Sequence, residues 1–257
     1  MIITIAAQKG GTGKTSTAAA IAQALTYKKK TSLLIDFDGQ GSASLIYGAD
    51  TSGGGSYDLI TGAEEAENLI QDLPAGKIIP ANQLLDRLGI ELNNKAGRDF
   101  LLKAGIEPIK KRFDAIVIDT APGLGTCLIQ ALTAADIVII PLLCDPQALR
   151  GLHQVTETIV QVKKLCNPGL KIAAVVLTQY QARATLTRQY EDLITEQCRG
   201  MGVYLAKTRI RRAIALQEAQ ASRENLFTYN AKSNPAQDYL ALCDEIGLFK
   251  KPRKGRE

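Results

Sequence analysis

KGGTGKTS, residues 9–16, lies between an apolar run at residues 2–7 and a stretch of helical periodicity at residues 15–27. Its glycines allow a tight turn in which successive backbone N–H groups, together with the amino end of the following helix, point at phosphate oxygens. The order of strand, loop and helix is the context that a phosphate-binding loop requires. The stretch therefore predicts an α/β fold with a phosphate site at the end of its first strand.

The individual residues of this loop have separate expected tasks. Lys14 places a positive charge near the β and γ phosphates of a nucleotide, and the hydroxyl of Thr15 is a suitable oxygen ligand for Mg²⁺. The residues expected to contact the nucleotide are Gly10, Gly11, Thr12, Gly13, Lys14, Thr15 and Ser16. Gln8 stands where the usual form of the motif begins with glycine, so the loop departs from the common pattern at its start.

Short apolar runs alternate with longer amphipathic stretches along the rest of the chain. This alternation predicts a mostly parallel twisted sheet with helices on both faces. Strands are expected near residues 2–7, 32–36, 115–119, 137–141 and 173–178. Helices are expected near residues 15–27, 124–134, 149–165, 186–199 and 235–246. The candidate motifs then fall at the carboxyl ends of strands, where open α/β sheets bind their ligands.

Two further strand ends carry carboxylates. LLIDFD, residues 33–38, places Asp36 and Asp38 on one face because side chains alternate along a strand. FDAIVID, residues 113–119, ends in Asp119. These acids could serve a metal ion and its bound water, or they could be structural acids at strand ends. The residue pattern alone leaves both interpretations open.

Together with Lys9, the loop resembles the deviant Walker A signature of the ParA/MinD family of P-loop ATPases. DFDGQG, residues 36–41, resembles the second motif of that family, with Gly39 in place of the usual proline, which is expected to loosen the turn. DTAPGLG, residues 119–125, resembles its Walker B and switch II segment. The resemblance covers essentially the whole chain and is least diagnostic at residues 51–101.

The resemblance implies a task for each motif. Lys9 would reach the phosphates of a partner subunit, Lys14 would offset charge on the transferred phosphate, and Asp38 would orient the attacking water. The implied Mg²⁺ site consists of Thr15, Asp36 and Asp119. For the adenine pocket, residues 178–183 and 208–212 are the candidates.

The implied function is a Mg²⁺-dependent ATPase that is slow without its partner. ATP would assemble a homodimer that binds DNA without sequence preference until a ParB-type partner stimulates hydrolysis. Segregation of a plasmid or chromosome, in the cytoplasm and at the nucleoid, is the expected task. The resemblance is to the small form without an N-terminal helix-turn-helix, because Met1 opens the nucleotide-binding core directly, and operator-specific DNA reading is not expected.

The charge distribution limits where DNA could bind. Of the net charge of +5, residues 250–257 contribute 5 − 1 = +4, so the body of the chain is nearly neutral. We expect one ATPase domain at residues 1–249 and a basic tail at 250–257, either a DNA-contacting arm or a solubilising end. The basic residues of the last third could contact DNA or be solvated: Arg183, Arg188, Arg199, Lys207, Arg209, Arg211 and Arg212.

Two rival functions share the nucleotide motifs. A MinD-like membrane ATPase needs an amphipathic ending, and Leu248 and Phe249 alone offer little apolar area for lipid, so no membrane is expected. A metabolic relative, such as an amidotransferase-type synthetase or an iron–sulfur ATPase, is the other rival. No cysteine precedes Cys127, which argues against the cluster ligands of the iron–sulfur branch. The widely spaced cysteines suggest neither zinc nor disulfides and fit a reducing cytoplasm.

Overall fold

The computed structural model describes residues 1–92 and 95–250 of the 257-residue chain. The strands within these residues are β1 (Ile2–Ile5), β2 (Ser32–Phe37), β3 (Gln71–Leu73), β4 (Gly76–Ile79), β5 (Ala115–Thr120), β6 (Ile137–Leu142) and β7 (Lys171–Leu177). They form one sheet in the order β3-β4-β2-β5-β1-β6-β7. Neighbouring strands pair in parallel except for the β3–β4 hairpin. Apart from Lys250, the expected basic tail lies outside the described residues.

The helices flank this sheet. They are α1 (Lys14–Tyr27), α2 (Ser42–Tyr47), α3 (Ser56–Thr61), α4 (Leu88–Glu91), α5 (Leu101–Ile106), α6 (Thr126–Ala134), α7 (Ala148–Leu165), α8 (Thr185–Met201), α9 (Ile214–Ala221), α10 (Leu226–Asn230) and α11 (Asn234–Glu245). Short 3₁₀ helices lie at Gln83–Arg87, Arg98–Phe100 and Lys110–Arg112. None of the helices in the described part of the chain is long and apolar enough to cross a bilayer.

The predicted parallel sheet with helices on both faces is confirmed, and every predicted strand and helix occurs with its ends shifted by a few residues. The β3–β4 hairpin and the short helices between residues 42 and 106 were not predicted. These elements have three to six residues each, too few to show a clear period.

Alternation along the strands explains why both faces of the sheet are covered. In β2, Leu33 and Ile35 face a core shared with α3, α5, α6, α7 and α8, whereas Leu34 faces the core beneath α1, α2, α10 and α11. The alanine-rich α1 has small side chains on its buried surface, from Ala18 to Ala24. Small side chains let this helix pack closely on the sheet, which fixes the loop at its amino end.

The predicted motifs lie at only one of the two ends of the parallel strands. The ends of β1, β2, β5 and β7 that lead into the predicted motifs form the carboxyl edge of the sheet, and their starts form its amino edge. A strand of six residues such as β2 spans about 20 Å, which separates the two edges. The candidate site therefore lies at one end of the molecule.

Candidate nucleotide site

The loop before α1 has the backbone conformation that its glycines permit. Gly11 and Gly13 have φ angles of 74° and 81°, in the left-handed region that other residues rarely adopt. The Gly13 carbonyl accepts the N–H of Thr17 at 2.8 Å and so starts α1. The first N–H groups of a helix have no acceptor within it, so this start can bind an anion such as a phosphate.

Side chains from distant elements hold this loop in place. The Thr178 hydroxyl, just after β7, donates to the Thr12 carbonyl at 2.7 Å, and the Gln179 amide donates to the Gly11 carbonyl at 2.8 Å. From α9, the Gln220 amide donates to the hydroxyl of Ser16 at 3.0 Å. The loop is therefore positioned from both sides before any ligand binds, which reduces the ordering cost of binding.

Lys14 is a buried cation at the centre of the site. Its side chain donates from Nζ to the Lys9 carbonyl at 3.1 Å, and the residue is only 6% exposed. Burial lowers the pKa of the Lys14 ammonium, and the nearby Asp119 and Asp38 carboxylates oppose this effect. An anionic phosphate would provide further charge compensation for this partly desolvated ammonium group.

Lys9 lies at the mouth of the site and pairs with Asp145, which follows β6. The Nζ–Oδ2 distance is 2.6 Å, and the two side chains are 40% and 23% exposed. Exposed pairs of this kind contribute only about 0–1 kcal/mol. Lys9 can therefore leave Asp145 for a phosphate at little cost. The sequence reasoning missed Asp145, although an acid just after a parallel strand was a usable signal.

Asp36 is completely buried and is engaged by the start of α2. Its Oδ2 accepts both the N–H and the hydroxyl of Ser44 at 2.7 Å, and its Oδ1 accepts the N–H of Asp38 at 3.3 Å. Burial raises the pKa of Asp36 to about 6, although the Ser44 donors work in the opposite direction. These contacts show that Asp36 fixes the turn after β2; its support of a metal stays a prediction.

Asp119 is buried beside Asp36, because the two residues are paired across β5 and β2. Neither of its carboxylate oxygens has a hydrogen bond of standard geometry within the described residues. Burial, reinforced by the Asp36 carboxylate, raises the pKa of Asp119 well above its usual range, and the neighbouring Thr15 hydroxyl offsets part of the rise. Unpartnered buried oxygens beside a hydroxyl fit a hard cation such as Mg²⁺, which prefers oxygen ligands.

Asp38 lies at the rim of the same site and is 7% exposed. Its Oδ1 accepts the N–H of Gln40 at 3.1 Å. The next residue, Gly39, does not have a left-handed φ, and a Cβ there would overlap the carboxylate of Asp86. The expected explanation for glycine, a looser turn, is therefore incomplete, because Asp86 occupies the space that a side chain at this position would need.

The switch segment is anchored to the first strand and its loop. The Thr120 hydroxyl donates to the Ile5 carbonyl at 2.8 Å, and the N–H of Gly123 donates to the Gln8 carbonyl at 3.0 Å. Gly123 has a φ angle of 102°. The backbone beside Lys9 is thus hydrogen-bonded directly to the switch segment at residues 120–125.

A cavity of about 160 Å³ adjoins the phosphate loop. It is lined by Gly13, Ser16, Thr178, Gln179, Ile210, Arg211, Arg212, Ala213, Leu216, Gln217, Gln220 and Tyr239. The two segments predicted as candidates for the adenine pocket, residues 178–183 and 208–212, meet at this cavity, because the N–H of Tyr180 donates to the Ile210 carbonyl at 2.9 Å. The residues from α9 and α11 were not foreseen, since nothing in the sequence connects them to the loop.

We expect Asp119→Asn to stabilise the nucleotide-free protein, because it removes a desolvated negative charge beside Asp36 and Asp38. For a chain of this size, each 1 kcal/mol of added stability raises Tm by about 2–4 °C. Removing the desolvated charge should add about 1 kcal/mol, which corresponds to a rise of about 3 °C at neutral pH. Circular dichroism melting measures it. In the same assay, MgATP should stabilise the variant less than the wild type.

The pH dependence provides the control for this prediction. A raised folded pKa means that the Asp119 contribution to stability is fully present below the ordinary value of 3.8 and is lost as pH rises through the folded pKa. The advantage of the variant should therefore be small in acid and grow towards neutral pH. An unchanged or lower Tm for the variant at every pH would contradict the assignment of Asp119 as a destabilised, ligand-ready carboxylate.

The chain is similar in sequence to known proteins over nearly its whole length. The AAA domain family AAA_31 matches residues 1–172. The chain is 34% identical over 260 residues to the chromosome partitioning protein ParA of Myxococcus xanthus (strain DK1622), covering 99% of this chain and 90% of that protein. It is 36% identical over 249 residues to the sporulation initiation inhibitor protein Soj of Bacillus subtilis (strain 168), with coverages of 95% and 97%.

A solved structure with a similar fold is that of cobyrinic acid a,c-diamide synthase from Mycobacterium smegmatis with bound ADP and magnesium. It superposes with a TM-score of 0.83 at 30% identity, covering 95% of this chain and 92% of that one. The similarity therefore extends over nearly the whole sheet and its helices.

Proposed function

This chain belongs to the ParA/MinD family of P-loop ATPases, and from this membership we propose that it is a DNA-partitioning switch that binds and hydrolyses MgATP. One observation carries the nucleotide chemistry. Asp119, whose buried oxygens have the Thr15 hydroxyl beside them but no hydrogen bond of standard geometry within the described residues, lies in the same site as Lys14, whose ammonium donates there to a backbone carbonyl. A cation and a phosphate satisfy both groups at once.

The geometry supports a separate role in hydrolysis for each residue of the site. Thr15 and Asp119 would hold Mg²⁺, and Asp36 would support them by fixing the turn after β2. When bound, Mg²⁺ supplies positive charge beside the β and γ phosphates. Lys14 would offset charge that develops on the transferred phosphate, and Asp38 at the rim would orient the attacking water.

We propose that two subunits close over the nucleotide, as the resemblance implies, with Lys9 crossing to the partner's phosphates. Lys9 is partly exposed at the mouth of the site, and within the described residues its one ion-pair partner is Asp145, which supports this role. Loss of the γ-phosphate would release residues 120–125 through the Gly123–Gln8 hydrogen bond. The dimer would then separate, so that the nucleotide state sets the DNA-binding state.

The basic residues of the last third divide into two groups. Arg209 pairs with Glu191 at 2.7 Å, and Arg211 pairs with Asp238 at 2.6 Å, so both guanidinium groups are occupied within the fold. In the described part of the chain, these residues have no ion-pair partner: Arg183, Arg188, Arg199, Lys207 and Arg212. We assign the proposed non-specific DNA contacts of the ATP-bound dimer to this second group.

The proposal is tested by binding of random-sequence duplex DNA, measured by anisotropy at about 150 mM salt with a slowly hydrolysed ATP analogue, ADP or no nucleotide. We expect the analogue to raise the affinity well above the other two conditions. Equal affinity in all three conditions, for protein shown to bind ATP, would contradict the switch. Addition of a ParB-type partner should then accelerate ATP hydrolysis and release the protein from the duplex. In the cell, the same step would release it from the nucleoid.

We expect Lys9→Ala to leave ATP affinity of the single subunit within about twofold and to impair ATP-dependent dimerisation, because Asp145 is the one polar partner of its ammonium within the described residues. Sedimentation velocity with the ATP analogue measures the dimer. The matched control is Lys95→Gln, which removes an exposed lysine remote from the loop. Normal dimers in Lys9→Ala would exclude a cross-subunit role for this lysine.

The membrane alternative is disfavoured by the packing near the end of the described chain. Leu248 is 3% exposed and belongs to the core beneath α1 and α11, and Phe249 packs against the same core beneath the Lys28 ammonium. The two apolar residues that could have entered lipid are therefore used within the fold.

A metabolic role is the second candidate, favoured by the similarity to the diamide synthase. A synthetase that releases ammonia from glutamine needs a reactive thiolate. Burial raises the pKa of Cys127 and of Cys144 to about 11, so neither thiol is activated for attack near neutral pH. The DNA-binding experiment separates this candidate from the partitioning switch.

A further inference from the structure

The cavity beside the phosphate loop extends from the loop to one face of α9. Gly13 and Ser16 line the cavity at the loop, and α9 contributes Leu216, Gln217 and Gln220 to its wall. Phosphates bind at the loop and at the start of α1, so the nucleoside of a bound nucleotide extends into this cavity. The side chains of α9 therefore face the sugar and the base.

Part of the cavity wall is apolar. Ile210 is 2% exposed, and Ala213 and Leu216 are partly buried beside it. Such side chains contact the flat face of a base and exclude water from it. They do not distinguish one purine from another, because purines differ in the hydrogen-bond donors and acceptors at their edges. Selection of a base at this site requires a polar group.

Most polar side chains of the cavity are already committed to contacts within the fold. The Gln179 amide donates to the phosphate loop at 2.8 Å, and the Gln220 amide donates to the first turn of α1 at 3.0 Å. The Arg211 guanidinium donates to both carboxylate oxygens of Asp238, at 2.6 and 2.9 Å. The Tyr239 hydroxyl shares a hydrogen bond of 3.1 Å with a threonine of α1. These groups hold the shape of the cavity.

Two polar side chains of the cavity remain without a partner. The backbone beside them is engaged, since the Ile210 carbonyl accepts the N–H of Tyr180 and the Tyr180 carbonyl accepts the N–H of Arg212. In the part of the chain that the structure describes, neither Gln217 nor the guanidinium of Arg212 has a side-chain hydrogen bond or ion pair. A guanidinium offers only donors, whereas an amide offers a donor and an acceptor side by side.

Gln217 has a suitable position for contact with the base. It precedes Gln220 by three residues on α9, so the two amides lie on the same face with their Cβ atoms about 5–6 Å apart. Gln220 reaches Ser16 beside the loop, while Gln217 lies one turn closer to residues 208–212. A nucleotide whose phosphates occupy the loop presents its base at this greater distance from the loop.

We propose that Gln217 selects adenine by pairing its side-chain amide with the 6-amino group and N7 of the base, a role that rests on the proposed nucleotide function. Adenine presents a donor beside an acceptor at this edge, which matches the carbonyl and amino groups of a glutamine. Guanine presents two acceptors at O6 and N7, so the glutamine carbonyl would face another acceptor. Arg212 would instead favour guanine, because its donors match those two acceptors.

The test measures the affinities of the full chain for ATP, GTP and 7-deaza-ATP by competition titration with Mg²⁺ present. The wild type should bind ATP roughly tenfold more tightly than the other two, as expected for one solvent-exposed bidentate pair. Gln217→Met keeps the length of the side chain and removes the amide. It should weaken ATP roughly tenfold, leave GTP and 7-deaza-ATP unchanged, and raise KM for ATP hydrolysis without altering kcat, since the phosphate site is intact.

Two glutamine variants provide matched controls. Gln220→Met removes an amide from the same face of α9, but one that holds Ser16, so it should weaken all three nucleotides by the same factor and keep the preference for ATP. Gln189→Met removes an exposed amide from α8 and should match the wild type with each nucleotide. Thermal unfolding without nucleotide checks that every variant is folded.

The possible outcomes separate this role from the proposed function. An unchanged preference for ATP in Gln217→Met, or an equal loss for all three nucleotides, would overturn the role of Gln217 and leave the MgATP switch in place. Tighter binding of GTP than of ATP by the wild type would overturn it in favour of Arg212. Wild-type protein that binds none of the three nucleotides would contradict the proposed function, and the role of Gln217 with it.

Discussion

We expect Lys14→Ala to lower the affinity for MgATP by at least about 100-fold. The Lys14 ammonium is nearly buried beside Asp119 and Asp38, and its only hydrogen bond in the described structure is to the Lys9 carbonyl. Truncating one partner of a desolvated charge pair costs about 2–5 kcal/mol in binding. Equilibrium titration with a fluorescent ATP analogue, in the presence of Mg²⁺, measures the loss.

Lys9→Ala is the matched control for this variant, because it removes the same charge from the same loop. Lys9 is partly exposed and pairs with Asp145, so its loss should leave the affinity of a single subunit almost unchanged. Thermal unfolding of both variants without nucleotide checks that each is folded. A similar loss of affinity in both variants would show that the two lysines do not have the separate tasks assigned to them.

Asp38→Ala reduces the rate of ATP hydrolysis by about 10²- to 10⁴-fold, the usual range for loss of a group that activates or orients the attacking water. ATP affinity should remain close to that of the wild type, since the phosphate loop, Lys14 and Asp119 are unaltered. ATP-dependent dimers should then persist instead of separating. Single-turnover hydrolysis and sedimentation velocity measure the two effects on the same preparation.

Asp86→Ala is the control for Asp38→Ala. The Asp86 carboxylate lies against Gly39, the residue that follows Asp38, but Asp86 is exposed on the 3₁₀ helix at Gln83–Arg87. Its removal eliminates a neighbouring negative charge without removing the proposed water-orienting group, so hydrolysis should stay within about threefold of the wild type. Comparable loss in both variants would replace the specific role of Asp38 with a general effect of local charge.

The local elements of this fold were predictable because they depend on residues close together in the chain. The run at β1, the glycine-rich loop and the alanine-rich α1 form a strand, turn and helix whose order is visible in 27 residues. The parallel sheet followed from alternating apolar and amphipathic segments. The placement of Asp36 and Asp119 at strand ends followed in the same way, whereas their pairing across β2 and β5 depends on a strand order that only the tertiary structure sets.

The state of each site residue was not predictable, since it depends on groups brought from distant positions. Asp145 lies 136 residues from Lys9 along the chain, yet it is the partner that holds this lysine in the free subunit. Ser44 engages Asp36 from the first turn of a short helix that had no visible period. The cavity beside the loop likewise needed α9 and α11 to bring Gln220 and Tyr239 next to it.

The sequence by itself determined the class of fold, the phosphate loop and the carboxylates that face it, because backbone conformation and strand or helix periodicity are local properties. Tertiary structure decided which of those charges are free to act. It buried Asp119 beside Asp36, engaged Asp36 with Ser44, and paired Lys9 with Asp145. Burial and pairing arise only when separate elements pack together, and they set the energy of every charge.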